Sequence, residues 1–361
     1  MSKVYLTPAR HDESAAGLAH KVELLWRVAG FDDLLERERT AAIKLHVGEP
    51  GTVTFAPPSI AAAVVKLCKD AGAVPFITDT CVVYKSARSD AVGHARVAED
   101  HGFGIGEVGA PFVAADGLTG TDDVELPFDG RHHKTLGIAS AIAHARSMIV
   151  ISHVTGHLGT GLAAVLKNLG MGCASKKAKL RQHHGQQPWI SAATCTACGE
   201  CAKWCPSEAI EVDDAAEIDK ARCIGCGECV AVCPEGAVRF DWGIMGRELQ
   251  ERICEHAAGV VRGKPGRIGY LTAAFAITKD CDCMGMAQPS LVDDIGLLAS
   301  TDPVAIDRAA LDLVRDRDAR GLEALSYPEQ DGTIQLRYAE ELGLGSNAYE
   351  LVMIDAQKGD R

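Results

Sequence analysis

Eight of the 14 cysteines fall in one short stretch, in a doubled pattern. Cys195, Cys198, Cys201 and Cys205 follow C-x2-C-x2-C-x3-C, with Pro206 next. Cys223, Cys226, Cys229 and Cys233 repeat it, with Pro234 next. Spacing this short lets three thiolates of one loop reach three irons of a cubane, while the fourth cysteine of each run serves the other cluster. The expected cofactors are therefore two [4Fe–4S] clusters. The first would be held by Cys195, Cys198, Cys201 and Cys233, the second by Cys223, Cys226, Cys229 and Cys205. Gly199, Gly225 and Gly227 allow the tight backbone such loops need. Zinc is the competing occupant, but zinc sites pair two short C-x2-C knuckles and need no third and fourth cysteine in this register. A radical-SAM site would need C-x3-C-x2-C, which Cys201, Cys205 and Glu208 do not supply.

A second group of reactive residues lies at the ends of apolar runs. His46 follows Ala41–Leu45, with Lys44 just inside it. Asp79 follows Val74–Thr78, and Asp116 follows Pro111–Ala115. His153, with His157 in the same loop, follows Met148–Ser152. Lys279-Asp280-Cys281-Asp282-Cys283 follows Ile268–Ile277. In open parallel sheets ligands bind beyond the carboxyl ends of the strands, so His46, Asp79, Asp116, His153, Cys281 and Cys283 are the candidate catalytic set. Histidines here suit metal ligation or proton movement, against the alternative of hydrogen-bonded structural rings. Asp79 and Asp116 suit a cation or substrate hydroxyls, against turn chemistry. Lys167-Asn168 could hold an anion, against a lysine welcomed at a helix end. Cys281 and Cys283 suit an additional metal or a redox-active pair, against burial; a C-x-C disulfide is not expected in a reducing cytosol. Cys68 reads as core, and Cys81, Cys173 and Cys254 suggest no partner.

These residues need a frame. The elements read as strands alternating with helices: helical spacing over Pro58–Ala71, ended by Gly72, then over Asp90–Asp100, Lys134–Ala145, Leu158–Leu169 and Val304–Val314. The last is introduced by Thr301-Asp302-Pro303, a cap followed by proline in the first turn. Such alternation predicts an α/β fold, a largely parallel sheet with helices on both faces. Between 186 and 243 the character changes: ten acidic against four basic residues, half of the net charge of −12. The expected organisation is an α/β domain in two parts, 1–185 and 244–361, with a small α+β ferredoxin-like insert at 186–243.

The charge balance lacks the basic face that phosphate binding demands, so no nucleic acid is expected. The run Lys176, Lys177, Lys179 and Arg181, followed by His183 and His184, reads as a solvated loop or an anion contact. No apolar run approaches the roughly 20 residues that span a bilayer. Met1–Gly17 has no apolar secretory core, and the expected location is cytoplasmic, with no membrane partner. Gly104-Ile105-Gly106-Glu107-Val108-Gly109 matches G-x-G-x-x-G. Its context is inverted, helix before and strand after, so a dinucleotide site is not expected. Gly156-His157-Leu158-Gly159-Thr160-Gly161 is read as opening a helix, whose amides could receive an anion, or as close backbone packing.

The chain resembles the DUF362 proteins, a domain of unknown function that often carries an internal ferredoxin pair. The likeness rests on Lys44–Glu49 (KLHVGE), Pro75–Thr80 (PFITDT), His101-Gly102-Phe103 and Ala115–Leu118 (ADGL). It extends to Ser152-His153 with Gly156-His157, Lys167–Ser175 (KNLGMGCAS), Asp280–Met284 (DCDCM) and Asp294–Asp307 (DIGLLASTDPVAID). The resemblance implies an iron–sulfur protein and brings no established reaction. One departure is Gly159-Thr160-Gly161, where Gly-Phe-Gly is expected, so the pocket floor changes.

The leading expectation is a redox protein, an oxidoreductase in which electrons enter through the insert and reach a substrate or metal at the strand ends. The alternatives are a non-enzymatic electron relay or maturation protein acting on a protein partner, and a metallochaperone holding metal on Cys281 and Cys283. The acceptor is accordingly a redox partner protein or a small-molecule substrate.

Overall fold

The computed structural model describes residues 1–183, 187–223, 227–240, 243 and 245–355. Its frame is an eight-stranded sheet, formed by β1 (Ser2–Thr7), β2 (Thr40–Lys44), β3 (Val74–Asp79), β4 (Phe112–Ala114), β5 (Ser147–His153), β6 (Ile268–Ala274), β7 (Gly296–Ser300) and β8 (Tyr349–Met353). The strand order is β8-β1-β7-β6-β5-β2-β3-β4. Only β7 runs against the others, pairing antiparallel with β1 and β6, and the remaining pairings are parallel. The chain moves outward from β2 through β3 to β4, then returns to place β5 on the other side of β2. That reversal makes a topological switch point between β2 and β5, the place where open α/β sheets leave a crevice.

The sequence explains why this sheet is buried on both faces. All seven residues of β5 and all seven of β6 are buried, as expected of central parallel strands covered by helices. Alternation sends Ala42, Met148, Val150 and Tyr270 to one core and Ile43, Ile149, Ile151 and Leu271 to the other. The second core is covered by α1 (Ala15–Ala29) and α2 (Pro58–Asp70), through Leu18, Leu25, Ile60 and Val64. Helix α2 has Pro58 in its first turn, and Gly72 takes the left-handed φ of +84° just beyond its end. The first core is covered by α6 (Gly246–Arg262), α7 (Pro303–Arg317) and α8 (Thr333–Glu341). The Asp302 carboxylate accepts from the Val304 and Ala305 amides at 2.9 Å, the N-cap the sequence announces.

Three segments differ from their sequence expectation. Lys134–Ala145 is not one helix: Thr135–Ala139 is a strand paired with Asp123–Pro127, and only α3 (Ser140–His144) is helical. Leu136 and Ile138 pack beneath α6, where Gly259 leaves room for Leu136, and that packing outweighs helical spacing. Leu158–Leu169 begins instead as a hairpin, Thr155–His157 against Gly161–Ala163, and turns helical only in α4 (Val165–Gly170). Gly161 has φ of +71°, incompatible with a helix there. The 156–161 loop therefore offers no helix N-terminal amides. The basic run is a helix, α5 (Lys176–His183), with Lys176 and Lys179 buried rather than solvated.

Residues 190–238 gather a small apolar cluster of their own, including Ile190, Ile210, Ala216 and Val238 around Cys201 and Cys229. Its pairings are local: Trp189–Ile190 with Val238–Arg239, and Ile210–Val212 with Ala216–Ile218. Among the described residues no helix is long and apolar enough to cross a membrane.

Candidate functional site

Cys195, Cys198, Cys201 and Cys233 line one small cavity, which is the grouping expected when the fourth cysteine of the second run crosses to the first loop. Their loops are built to leave sulfur facing backbone N–H groups. The Ala216 amide donates to Cys195 Sγ at 3.3 Å, and Ala209 donates to Cys205 Sγ at 3.2 Å. Ala237 donates to Cys233 Sγ at 3.2 Å, at the same four-residue offset as Ala209 from Cys205. Gly199 and Gly227 adopt φ of +76° and +81° just ahead of the short helices that carry Cys201 and Cys229. The two halves thus repeat in conformation as well as spacing. Four thiols around one cavity, supported by N–H···S bonds, suit a thiolate-bound cluster. Cys223, Cys205 and Cys229 belong to the described structure; Cys226 and Gly225 lie outside the described residues, as does His184.

A cavity of about 620 Å³ opens at the carboxyl ends of β2, β3 and β5. Of the sequence candidates it brings together His46, Asp79, His153, Cys281 and Cys283, with His157 and Lys167. Asp116 is not part of its wall. Its carboxylate instead accepts from the Cys81 amide, at 3.0 and 3.1 Å, and so anchors the loop after β3. Burial pushes Asp116 up to about 6, against the pull of the Lys179 charge.

Lys44 ends β2 fully buried. Its ammonium donates to Leu45 O at 2.9 Å and Asn168 Oδ1 at 2.5 Å, and lies 3.0 Å from Asp79 Oδ1. Burial alone would raise Asp79, but the charges of Lys44 and Arg88 hold it well below the usual carboxylate range. Arg88, also buried, pairs with Glu49 at 2.8 Å and reaches Asp79 at 3.5 Å.

The histidines differ in what they can do. His153 Nδ1 lies 3.0 Å from both Asp282 oxygens, and Nε2 lies 2.9 Å from Phe275 O. Both ring nitrogens therefore donate, the ring is cationic, and neither lone pair remains for a metal. Burial opposes that charge, but Asp282 and the backbone carbonyl outweigh it and raise the His153 pKa. The metal-ligand reading of His153 gives way to a positioning role for the Asp282 loop. His46 Nδ1 accepts from the Gly48 amide at 3.0 Å, and His157 Nδ1 accepts from the Gly159 amide at 3.1 Å. Burial first, then the charge of Arg88 for His46 and of Lys167 for His157, drives both well below their ordinary value. Both are neutral rings that carry the proton on Nε2.

Cys281 and Cys283 are joined as a disulfide, which the sequence reading did not expect. The loop turns between them, with Met284 N donating to Cys281 O at 2.9 Å, so a Cα separation of 5.3 Å falls within the disulfide range. The loop is clamped from outside. Glu49 N donates to Asp282 O at 2.9 Å, and a Cβ on Gly51 would stand 2.6 Å from Gly285 O, so the two backbones touch. Lys167 Nζ lies 3.4 Å from Cys281 Sγ and 4.0 Å from Cys283 Sγ. His157, Cys281 and Cys283 bring their ligand atoms within 4.8 Å of one another, a group that could hold a metal ion. The other cysteines are quiet: burial pushes Cys68 and Cys173 up to about 12, so they stay thiols.

Helix α4 delivers Lys167 and Asn168, and a buried carboxylate from α7 fixes it. Asp307 accepts from the Val165 and Leu166 amides at 2.9 and 2.8 Å. Sequence reading passed over Arg88 and this role of Asp307, and met Lys179 only within a basic run read as a solvated loop or an anion contact. Arg88 lies nine residues past the end of β3, beyond the positions next to the strand. Lys179 sat in a run too polar to look buried. For Asp307 the only signal was its place in the family-like stretch Asp294–Asp307.

The family described as a domain of unknown function (DUF362) matches residues 41–312. No curated protein matches the chain. Two solved structures show a distant likeness to it. One is the lactate racemase apoprotein from Thermoanaerobacterium thermosaccharolyticum, with 12% identity and a TM-score of 0.38, covering 76% of this chain and 50% of that one. The other is a structural-genomics protein from Thermotoga maritima, with 10% identity and a TM-score of 0.33, covering 91% of this chain and 56% of that one. The chain spans about half the length of these proteins.

Proposed function

The chain belongs to the DUF362 family, and we propose that it is an iron–sulfur redox protein whose cluster-bearing insert serves a reducible cysteine pair in the strand-end cavity. One observation carries this reading: helix α5 is a wall shared by both sites. Towards the insert, Lys177 Nζ lies 3.2 Å from Glu228 Oε1, and Leu180 packs so closely on Gly227 that a Cβ there would meet it at 2.7 Å. Towards the cavity, the same helix presents Lys179 and His183, in a space that also contains Cys281 and Cys283.

The residues that would hold two [4Fe–4S] clusters are Cys195, Cys198, Cys201 and Cys233, and Cys223, Cys226, Cys229 and Cys205. Such clusters, when bound, supply electrons one at a time. Opening the Cys281–Cys283 bond takes two electrons and one proton from water, and yields one thiolate and one thiol. Lys167 is placed to receive the thiolate, since its ammonium already lies 3.4 Å from Cys281 Sγ. The His153–Asp282 pair holds the loop between the sulfurs, and neutral His157 stands beside them as a donor through Nε2–H. In this reading His46 and Asp79 orient what enters the cavity, and Asp116 holds the loop behind Asp79.

The test uses oxygen-free protein, reduced methyl viologen as a one-electron donor, and alkylation of Cys281 and Cys283 followed by mass spectrometry. Wild type should expose both thiols at least about tenfold faster than Cys198→Ser/Cys229→Ser, which disrupts both cluster sites. Equal rates with and without iron would remove the insert from the reaction. A second reading has its own observation, the Cys281 and Cys283 sulfurs lying together beside His157. Once reduced, that pair could bind a metal, and a stoichiometric non-iron metal lost in Cys281→Ser/Cys283→Ser would favour the chaperone reading.

A further inference from the structure

Most charges around the cavity are matched. Lys44 lies against Asp79, Arg88 against Glu49, and the His153 ring against Asp282. Two lysines are not. Lys179 Nζ is held by neutral oxygens, Thr80 Oγ1 and Cys81 O, each at 2.6 Å. Among the described residues Lys167 Nζ has only the two sulfurs. Among the described residues no carboxylate comes within 4.0 Å of either ammonium, although both line the cavity. Asp116 and Asp79 attract Lys179, and Asp282 attracts Lys167, from beyond that distance, but a buried cation with no carboxylate in contact remains costly, and a ligand anion would offset that cost. Part of the wall has a different character: Val82, Leu158, Met171, Met245 and Met284 face the same space.

We infer that the cavity binds an organic acid, with its anionic head neutralised by Lys167 and Lys179 and its apolar body against the methionines, Leu158 and Val82. This rests on the reading of the cavity as the working site and names its substrate class. The volume of about 620 Å³ lies within the range of small-molecule sites. Among the described residues the 156–161 loop offers no phosphate cradle, since it is a hairpin and not the start of a helix, and two cations are too few for a nucleotide's several charges. The electrostatics agree. Burial brings Lys167 down to about 8; Asp282 opposes that shift, and the charges of Arg88, Lys179 and Lys44 add to it. A bound carboxylate would reverse that push. Methionine suits a pocket that must adapt to an apolar body, being unbranched and polarisable.

The experiment is calorimetric titration of the full chain, oxygen-free and with the Cys281–Cys283 bond intact. The probes are octanoate, 3-phenylpropionate, their neutral amides and inorganic phosphate. At least one acid should bind, its amide should bind about tenfold or more weakly, and Lys167→Met should weaken the acid by about tenfold while sparing the amide. The acid–amide comparison needs no variant and stands if a substitution harms folding. Equal binding of acid and amide, binding of phosphate alone, or binding of no acid would overturn the inference. Iron content and thiol trapping on the same sample separate the two readings. Protein that keeps both yet binds no acid overturns the organic acid alone, whereas acid binding without iron-dependent thiol exposure retains it and sinks the redox reading.

Discussion

Replacing Lys167 with methionine should shift the acidity of the reduced Cys281 thiol. The ammonium lies 3.4 Å from Cys281 Sγ, and Cys281 is buried. A charge pair at that distance is worth about 5 kcal/mol at an effective dielectric near 20, and about 1 kcal/mol in bulk water. Each pKa unit is about 1.4 kcal/mol, so the thiol should rise by about one to three and a half units when the ammonium is removed. The sign is set by charge: Lys167 stabilises the thiolate, and its loss favours the thiol. The wild-type advantage should fade at higher pH, where the variant's thiol also loses its proton. The assay is iodoacetamide alkylation of reduced protein between pH 6 and 10, with the modified peptide identified by mass spectrometry. Thiolate is the reacting species, so wild type should react faster at neutral pH and the two curves should converge at high pH. Superimposable curves would refute the assignment of Lys167 as the thiolate's partner.

Cys233→Ser should remove one cluster and leave the other, lowering iron from about eight to about four per chain; elemental analysis of oxygen-free protein checks this, and undiminished iron would undo the crossed ligand sorting. Asp307 is raised to about 7 by burial, despite the Leu166 and Val165 amides it accepts. A carboxyl with a raised folded pKa stabilises the fold fully below its unfolded value and loses that contribution as pH rises through the folded one. Urea unfolding should therefore show wild type losing stability between about pH 4 and 7 relative to Asp307→Asn, by no more than a few kcal/mol. Gly170→Ala should destabilise by about 1–3 kcal/mol or more, because the new Cβ would stand 2.0 Å from Ile253 O on α6; a urea midpoint equal to wild type would show that α4 and α6 can part without cost.

Residues close in the chain could be judged from the chain. The cysteine runs, the Asp302-Pro303 cap of α7 and the stop at Gly72 each depend on neighbours a few positions away, and each is legible in the sequence. So is the parallel sheet, because strands buried on both faces must be apolar along their whole length, as β5 and β6 are. The ends of β2, β3 and β5 followed from that reading, and with them His46, Asp79 and His153. What happens at those ends did not follow. The state of His153 is decided by Asp282, 129 positions away, and the pairing of Lys44 by Asn168, 124 positions away. Arg88, Lys179 and Asp307 acquire their roles only when the switch between β2 and β5 opens a cavity and α5 closes it. The same distance rule explains the misread segments: helical spacing in Lys134–Ala145 was overruled by pairing with Asp123–Pro127 and packing under α6. Local spacing settled which atoms are available for chemistry. Which of them are charged, paired or left facing a ligand depends on burial and on partners remote in sequence, and only the folded chain supplies both.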